Sequence, residues 1–203
     1  MAGLRKYHIA ARISRVLSDA GCWVRDATFV GAAGDLPWRC TVSFPDGASR
    51  QYSLYFWTIS HGGRTRAHNE YRIQAKLKQS RSLDSMGGTT LLMGYYSAGH
   101  DRIGRDEGNL PFADMEVFVA WDPLQHLRVG ASSSCQVAFE VLERAFLNGF
   151  ACAERRNSGG DRELVVGVRS ELLCQYLRAA AGGHNLLDLT RITEISRHVE
   201  GDT

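Results

Sequence analysis

Gln74, Ala75 and Lys76 place an amide and an ammonium two positions apart, and Pro45-Asp46 lies upstream. Metal-dependent nucleases need that kind of set. Carboxylates hold Mg²⁺, and a lysine assists the nucleophile or the phosphate. Asp46, Gln74 and Lys76 are therefore the candidate catalytic set if the chain cuts nucleic acid. The chain contains no ExK and no DxK, and Asp46 falls in what reads as a hairpin turn. Asp114 and Glu116 would share a strand face, with Asp122 at the strand's end, and are the candidate Mg²⁺ ligands on the nuclease reading. No cofactor is expected otherwise.

The same stretch supports binding without cutting. Tyr71, Ile73, Ala75 and Leu77 alternate with Arg72, Gln74 and Lys76, the period of a half-buried strand. Arg64, Arg66 and His68 precede it in a segment opened by His61-Gly62-Gly63. Arginines that reach phosphates, beside a strand offering Arg and Gln to base edges, suit double-stranded DNA. A second candidate anion site is Arg128 with Ser132, Ser133 and Ser134. The spacing predicts a helix over 134–147, whose free N–H groups and dipole would favour a phosphate. Ser133 and Gln136 could form its capping box.

Other chemistries find no support. The seven histidines show no HxH or HExxH spacing, and no GxSxG, Walker A or GxGxxG motif occurs. The five cysteines are odd in number and contain no CxxC, which excludes a zinc knuckle and suggests reduced thiols. Trp23, Trp38, Trp57, Tyr95, Tyr96 and Trp121 read mostly as core, although a few could line a pocket for a flipped base.

These residues need a scaffold. An amphipathic helix is predicted over 4–20, with Ile9, Ile13, Val16, Leu17 and Ala20 on one face and Gly21 as its stop. Arg5, Lys6, Arg12 and Arg15 read as its solvated side. Strands are predicted over 23–30, 38–44, 50–60, 71–77, 89–96, 116–121 and 163–168. The second and third form a hairpin around Pro45-Asp46-Gly47, and the third is apolar on both faces, hence central. A long loop is predicted over 97–114. Ser170 is expected to cap a last helix running through Arg178, before a loosely ordered tail at 182–203. The order implies one α+β domain over 1–203, a mainly antiparallel mixed sheet packed by an N-terminal helix and two C-terminal helices.

Composition bounds the partners. The net charge is only +2, so any contact with nucleic acid must come from local clustering. Only Lys6, Lys76 and Lys78 are lysines, so the cationic groups are mainly arginines, suited to bidentate contacts. No run approaches a membrane span, and no signal segment opens the chain, so a cytoplasmic protein without a membrane partner is expected.

The succession YFWTISHGG, NEYRIQ, TTLLMGYY, VFVAWD, SSSCQVAFEVLERAFLNGF, ELVVGV and LCQYL resembles a methylase-associated domain of bacterial restriction and phage-defence proteins, over roughly residues 10–180. Within it, IQAK resembles the QxK variant of Mrr-type restriction nucleases. The resemblance implies DNA as partner, restriction or immunity as setting, and nuclease or methylase modules as associates. Three expectations follow: a DNA-binding domain that senses modified DNA, a Mg²⁺-dependent endonuclease, or a protein-interaction module that recruits a nuclease or methylase.

Overall fold

The computed structural model describes residues 6–31, 35–61, 69–77, 88–100, 114–127, 132–156 and 160–180. Helix α1 (Lys6–Asp19) buries Ile9, Ala10, Ile13, Val16 and Leu17, the stripe its 3.6-residue period requires. Gly21, at φ +74°, turns the chain out of it, and Cys22 N–H closes back on Leu17 O at 2.8 Å.

Ten strands follow among the described residues. They are β1 (Trp23–Phe29), β2 (Trp38–Ser43), β3 (Ser49–Thr58), β4 (Ser60–His61), β5 (Glu70–Lys76), β6 (Thr89–Ser97), β7 (Glu116–Trp121), β8 (Ser132–Ala138), β9 (Phe150–Arg156) and β10 (Arg162–Arg169). The helices after α1 are α2 (Pro123–His126), α3 (Phe139–Asn148) and α4 (Leu173–Ala179). Seven strands form one sheet in the order β1-β2-β3-β6-β7-β10-β9, and three form another in the order β4-β5-β8. The large sheet is antiparallel except between β3 and β6. Those parallel neighbours need a crossover, and β4 and β5 are part of it. The fold is thus α+β and mainly antiparallel, as expected. β3 is central and buried on both faces through its apolar half.

Two apolar layers flank the large sheet. On one side α1 and α4 pack on Trp38, Val42, Leu54, Phe56, Met93 and Phe118. On the other, Tyr71, Ile73, Ala75, Cys135 and Val137 of the small sheet meet Tyr55, Leu92, Tyr96, Val117, Val119 and Trp121, with α3 alongside. Two glycines set the spacing of this second layer. A Cβ on Gly94 of β6 would lie 2.5 Å from Ile59 Cγ1, and one on Gly167 of β10 would lie 2.8 Å from Ala145 Cβ of α3. The small sheet and α3 approach so closely only because neither position carries a side chain.

Two expected elements differ, and one strand is additional. Residues 132–138 are strand, not helix. Ser133, Cys135 and Val137 alternate with Ser132, Ser134 and Gln136, a two-residue period that pairs with β5 along its whole length. Helix α3 starts only at Phe139, and its N-cap Ala138 makes no side-chain cap bond, so the Ser133–Gln136 capping box does not form. Ser170 does not cap the last helix. Its hydroxyl donates to Glu116 O at 3.4 Å, and a 3-10 turn (Ser170–Leu172) leads into α4. β9 carries no strand expectation from the sequence; it pairs with β10 over seven register positions, Arg162↔Arg156 to Val168↔Phe150. The tail at 182–203 lies outside the described residues, as does most of the predicted loop.

Candidate nucleic-acid interface and adjoining cavity

Strand β5 alternates as its sequence requires. Tyr71, Ile73 and Ala75 are buried, Arg72 is half-buried, and Gln74 and Lys76 are exposed. Its register with β8 brings Arg72 opposite Gln136, Gln74 opposite Ser134 and Lys76 opposite Ser132. Gln74 Nε2 donates to Ser132 Oγ at 2.9 Å. Ser132 and Ser134 therefore stand on the outward rungs with the Arg-Gln-Lys row, not at a helix N-terminus. The helix-dipole argument for a phosphate clamp fails, because Ser132–Ser134 are strand residues. Among the described residues, neither Arg72 nor Lys76 has an ion-pair partner. Arg64, Arg66, His68 and Arg128 lie outside the described residues.

Ser133 points the other way. It faces the sheet interior opposite Ala75, and its Oγ lies 2.8 Å from His126 Nδ1. It therefore leaves the DNA-facing set. His126, at the end of α2, also pairs through Nε2 with Glu163 Oε1. Glu163 is 2% exposed, on β10. Its other oxygen makes no hydrogen bond among the described residues, and Arg155 Nε of β9 lies 3.9 Å from it. Arg155 turns its remaining nitrogens to Gln136, donating to the backbone O at 2.7 Å and to Oε1 at 2.8 Å. Trp121 Nε1 donates to the same carbonyl at 3.0 Å. Gln136 Nε2 donates to Glu70 Oε1 at 2.8 Å.

A polar chain, Ser133–His126–Glu163–Arg155–Gln136–Glu70, thus runs from between the sheets, at Ser133, to the outer face of the small sheet, at Gln136 and Glu70. Burying Glu163 is tolerable only because a histidine and an arginine flank it. Burial, then the nearby Glu163 charge, pushes the Cys135 thiol beside this chain up to about 12. Serine, histidine and glutamate in sequence have the composition of a nucleophile relay. The cavity at the other end of the chain is lined by neither Ser133 nor His126.

That cavity has a volume of about 400 Å³. Glu70, Gln136, Glu154 and Arg155 supply its polar wall; Val137, Val141 and Val165 supply much of its apolar wall. None of the tryptophans or tyrosines considered for a base pocket lines it. Trp38, Trp121, Tyr95 and Tyr96 are core, and Trp23 is 73% exposed on β1.

The candidate nuclease set is not assembled. Asp46 sits in the β2–β3 turn, accepts from Ala48 N–H at 3.3 Å and pairs with Arg178 of α4, in the helical layer. Gln74 and Lys76 lie across the large sheet from that layer. Glu116 accepts from Arg12 Nε at 2.9 Å and from Tyr95 Oη at 2.5 Å, which also takes Arg12 off the solvated side of α1. Burial, then the Glu116 bond, pushes the Tyr95 phenol up, so it remains a donor. Asp114 is exposed, and among the described residues no three His, Cys, Asp or Glu groups converge as metal ligands. Asp122 caps α2, accepting from Leu124 N–H at 2.9 Å.

A family model described as methylase-associated X1 matches residues 50–177, well over half of the chain. The chain belongs to the methylase-associated X1 family. The matched span runs from β3 into α4 and so contains the small sheet, the buried polar chain and the cavity. Membership supports a role in a restriction-modification setting, in association with methylase or nuclease modules. No curated protein and no solved structure matches the chain. No helix among the described residues is long and apolar enough to cross a membrane.

Proposed function

We propose that this methylase-associated X1 domain binds double-stranded DNA within a restriction-modification system, using the outer face of the β4-β5-β8 sheet. The observation that carries this reading is the convergence on that face of Arg72, Gln74 and Lys76 with Ser132; Ser134 shares the ladder, but its Oγ is buried. Successive outward positions on a strand lie about 6.7 Å apart, so Arg72 and Lys76 stand about 13 Å from each other. At about 3.4 Å per base along one DNA strand, that separation is about four nucleotides. Two cations with no ion pair among the described residues can therefore contact phosphates while Gln74 lies between them. The sequence carrying Arg64, Arg66 and His68 joins β4 to β5 and contributes further cations to this reading.

Holding is favoured over cutting, because the carboxylate sharing the β5 face is Glu70, about 20 Å along the strand from Lys76. Gel shifts on plain and methylated duplexes, with and without Mg²⁺, test the proposal. A Mg²⁺-independent shift is expected, weakened about tenfold for the Arg72→Ala, Lys76→Ala double variant. An unaltered shift in that variant contradicts the assignment of the face.

A further inference from the structure

The cavity beside the proposed DNA face has the wrong charge for phosphate. Its lining carries two carboxylates, Glu70 and Glu154, against one guanidinium, Arg155. Arg155 is already shared between Gln136 and the buried Glu163, and Glu154 has a loose, exposed partner in Arg162 at 3.8 Å. Such a wall repels an anion and favours a neutral group rich in N–H donors. The other wall is aliphatic: Val137, Val141 and Val165. At about 400 Å³ the space is near the lower end of small-molecule sites and far above the room one water needs.

Its position is as informative as its chemistry. Glu70, opposite Ala138, and Gln136, opposite Arg72, belong to the outward rungs of β5 and β8, the same ladder that carries Gln74, Ser132, Ser134 and Lys76. Glu70 and Ala138 both line the cavity. The cavity therefore opens at one end of the face, about 7 Å from Arg72 along the strand. A duplex held by that ladder would place its bases within reach, provided one of them leaves the stack.

We propose that the cavity receives one nucleobase extruded from DNA, an amino-bearing base with a methyl group. The Glu70 carboxylate, which can accept several hydrogen bonds, takes the exocyclic amino group. The valine wall takes the methyl group and the ring face. Cytosine and adenine both offer an exocyclic amine, and their methylated forms are the products of a methylase. This inference rests on DNA binding by the adjoining face and adds what that face reads.

The test is fluorescence anisotropy with duplexes carrying one 5-methylcytosine, one N6-methyladenine or neither, each fully paired or mismatched at that position. One methylated duplex is expected to bind at least about fivefold tighter than plain DNA. The mismatch, which lowers the cost of extrusion, should widen the gap. Ala138→Trp, at the exposed rim, and Glu70→Gln should each abolish the preference. Ala138→Trp should leave the salt dependence of plain duplex binding as it is, whereas Glu70→Gln, which removes a negative charge about 7 Å from Arg72, should bind every duplex somewhat tighter. Arg72→Ala with Lys76→Ala should weaken every duplex alike and leave the ratio unchanged. Equal binding of all duplexes, or a preference that survives Ala138→Trp, overturns the pocket. Absence of binding to any duplex overturns the DNA reading instead. In that event, saturation-transfer NMR with free 5-methylcytidine and N6-methyladenosine decides the cavity. A transfer signal in the wild type that Ala138→Trp abolishes supports it, and a wild type without such a signal overturns it.

Discussion

Glu163 is the residue whose environment constrains its neighbours most. A carboxylate with no exposed side-chain surface is held by His126 on one oxygen and approached by Arg155 on the other. Removing one partner leaves a buried charge without compensation, which costs about 3–5 kcal/mol. His126→Ala should therefore lower the urea unfolding free energy by about 3 kcal/mol, whereas His126→Ala combined with Glu163→Gln should recover part of that loss. Equal destabilisation by the single and double variants would refute the pairing. The thiols supply a pH dependence. Burial raises Cys40 and Cys135 from 9.0 to about 12. A group raised in the folded state contributes its stability below the unfolded value and loses it as pH climbs through the folded one. Stability should accordingly fall between about pH 9 and 12, and more shallowly in Cys40→Ser with Cys135→Ser, as followed by thermal melts across that range. At residue scale the sequence disclosed that Arg72, Gln74 and Lys76 share one strand face, because strand alternation is local. It did not disclose the partnership of His126 and Glu163, which are 37 residues apart and meet only through tertiary packing.

At the scale of elements, β8 is the instructive case. SSSCQVAFEVLERAFLNGF begins with serines and continues into an amphipathic run, and local signals favour one helix from Ser134. The first seven residues instead complete the pairing of β5, since Cys135 and Val137 find an apolar layer only as alternate strand residues. The tertiary partner overrides the helical start, and the phosphate clamp goes with it. β2, β3, β5, β6, β7 and β10 were legible because each carries its own alternation or apolar run. β9 was not, because FACAERR turns polar after four residues and owes its pairing to β10. The tight contact between the layers sets a further expectation. Gly94→Val would thrust methyl groups into Ile59 and Ile73, at 2.5–3.0 Å from the first added atom. A loss of about 1–3 kcal/mol in denaturant unfolding is expected, against a small effect for Gly47→Ala, whose Cβ would meet nothing within 4 Å although its φ of +83° adds some strain.

Across the whole molecule, the family match begins at residue 50, inside the large sheet. α1, β1 and β2 lie before it, yet α1 covers the helical side of the core together with α4. Arg12 of α1 meets Glu116 of β7, and Tyr52 Oη donates to Leu177 O at 2.9 Å beneath it. A fragment limited to residues 50–180 would uncover Leu54, Phe56, Phe118 and Tyr176. It should bind a hydrophobic dye and melt without cooperativity, while the 203-residue chain melts in one transition. The charge distribution matters at this scale as well. With a net charge of +2, bulk attraction to DNA is weak, and affinity must come from the small-sheet face. The most direct test of that claim is the salt dependence of duplex binding, measured for the wild type and for Arg72→Ala with Lys76→Ala. Each phosphate contact contributes about 0.9 to the slope of log K against log salt. The double variant is expected to show a slope shallower by about 1.8, with weaker binding at low salt. An unchanged slope and affinity would contradict the assignment of DNA to this face.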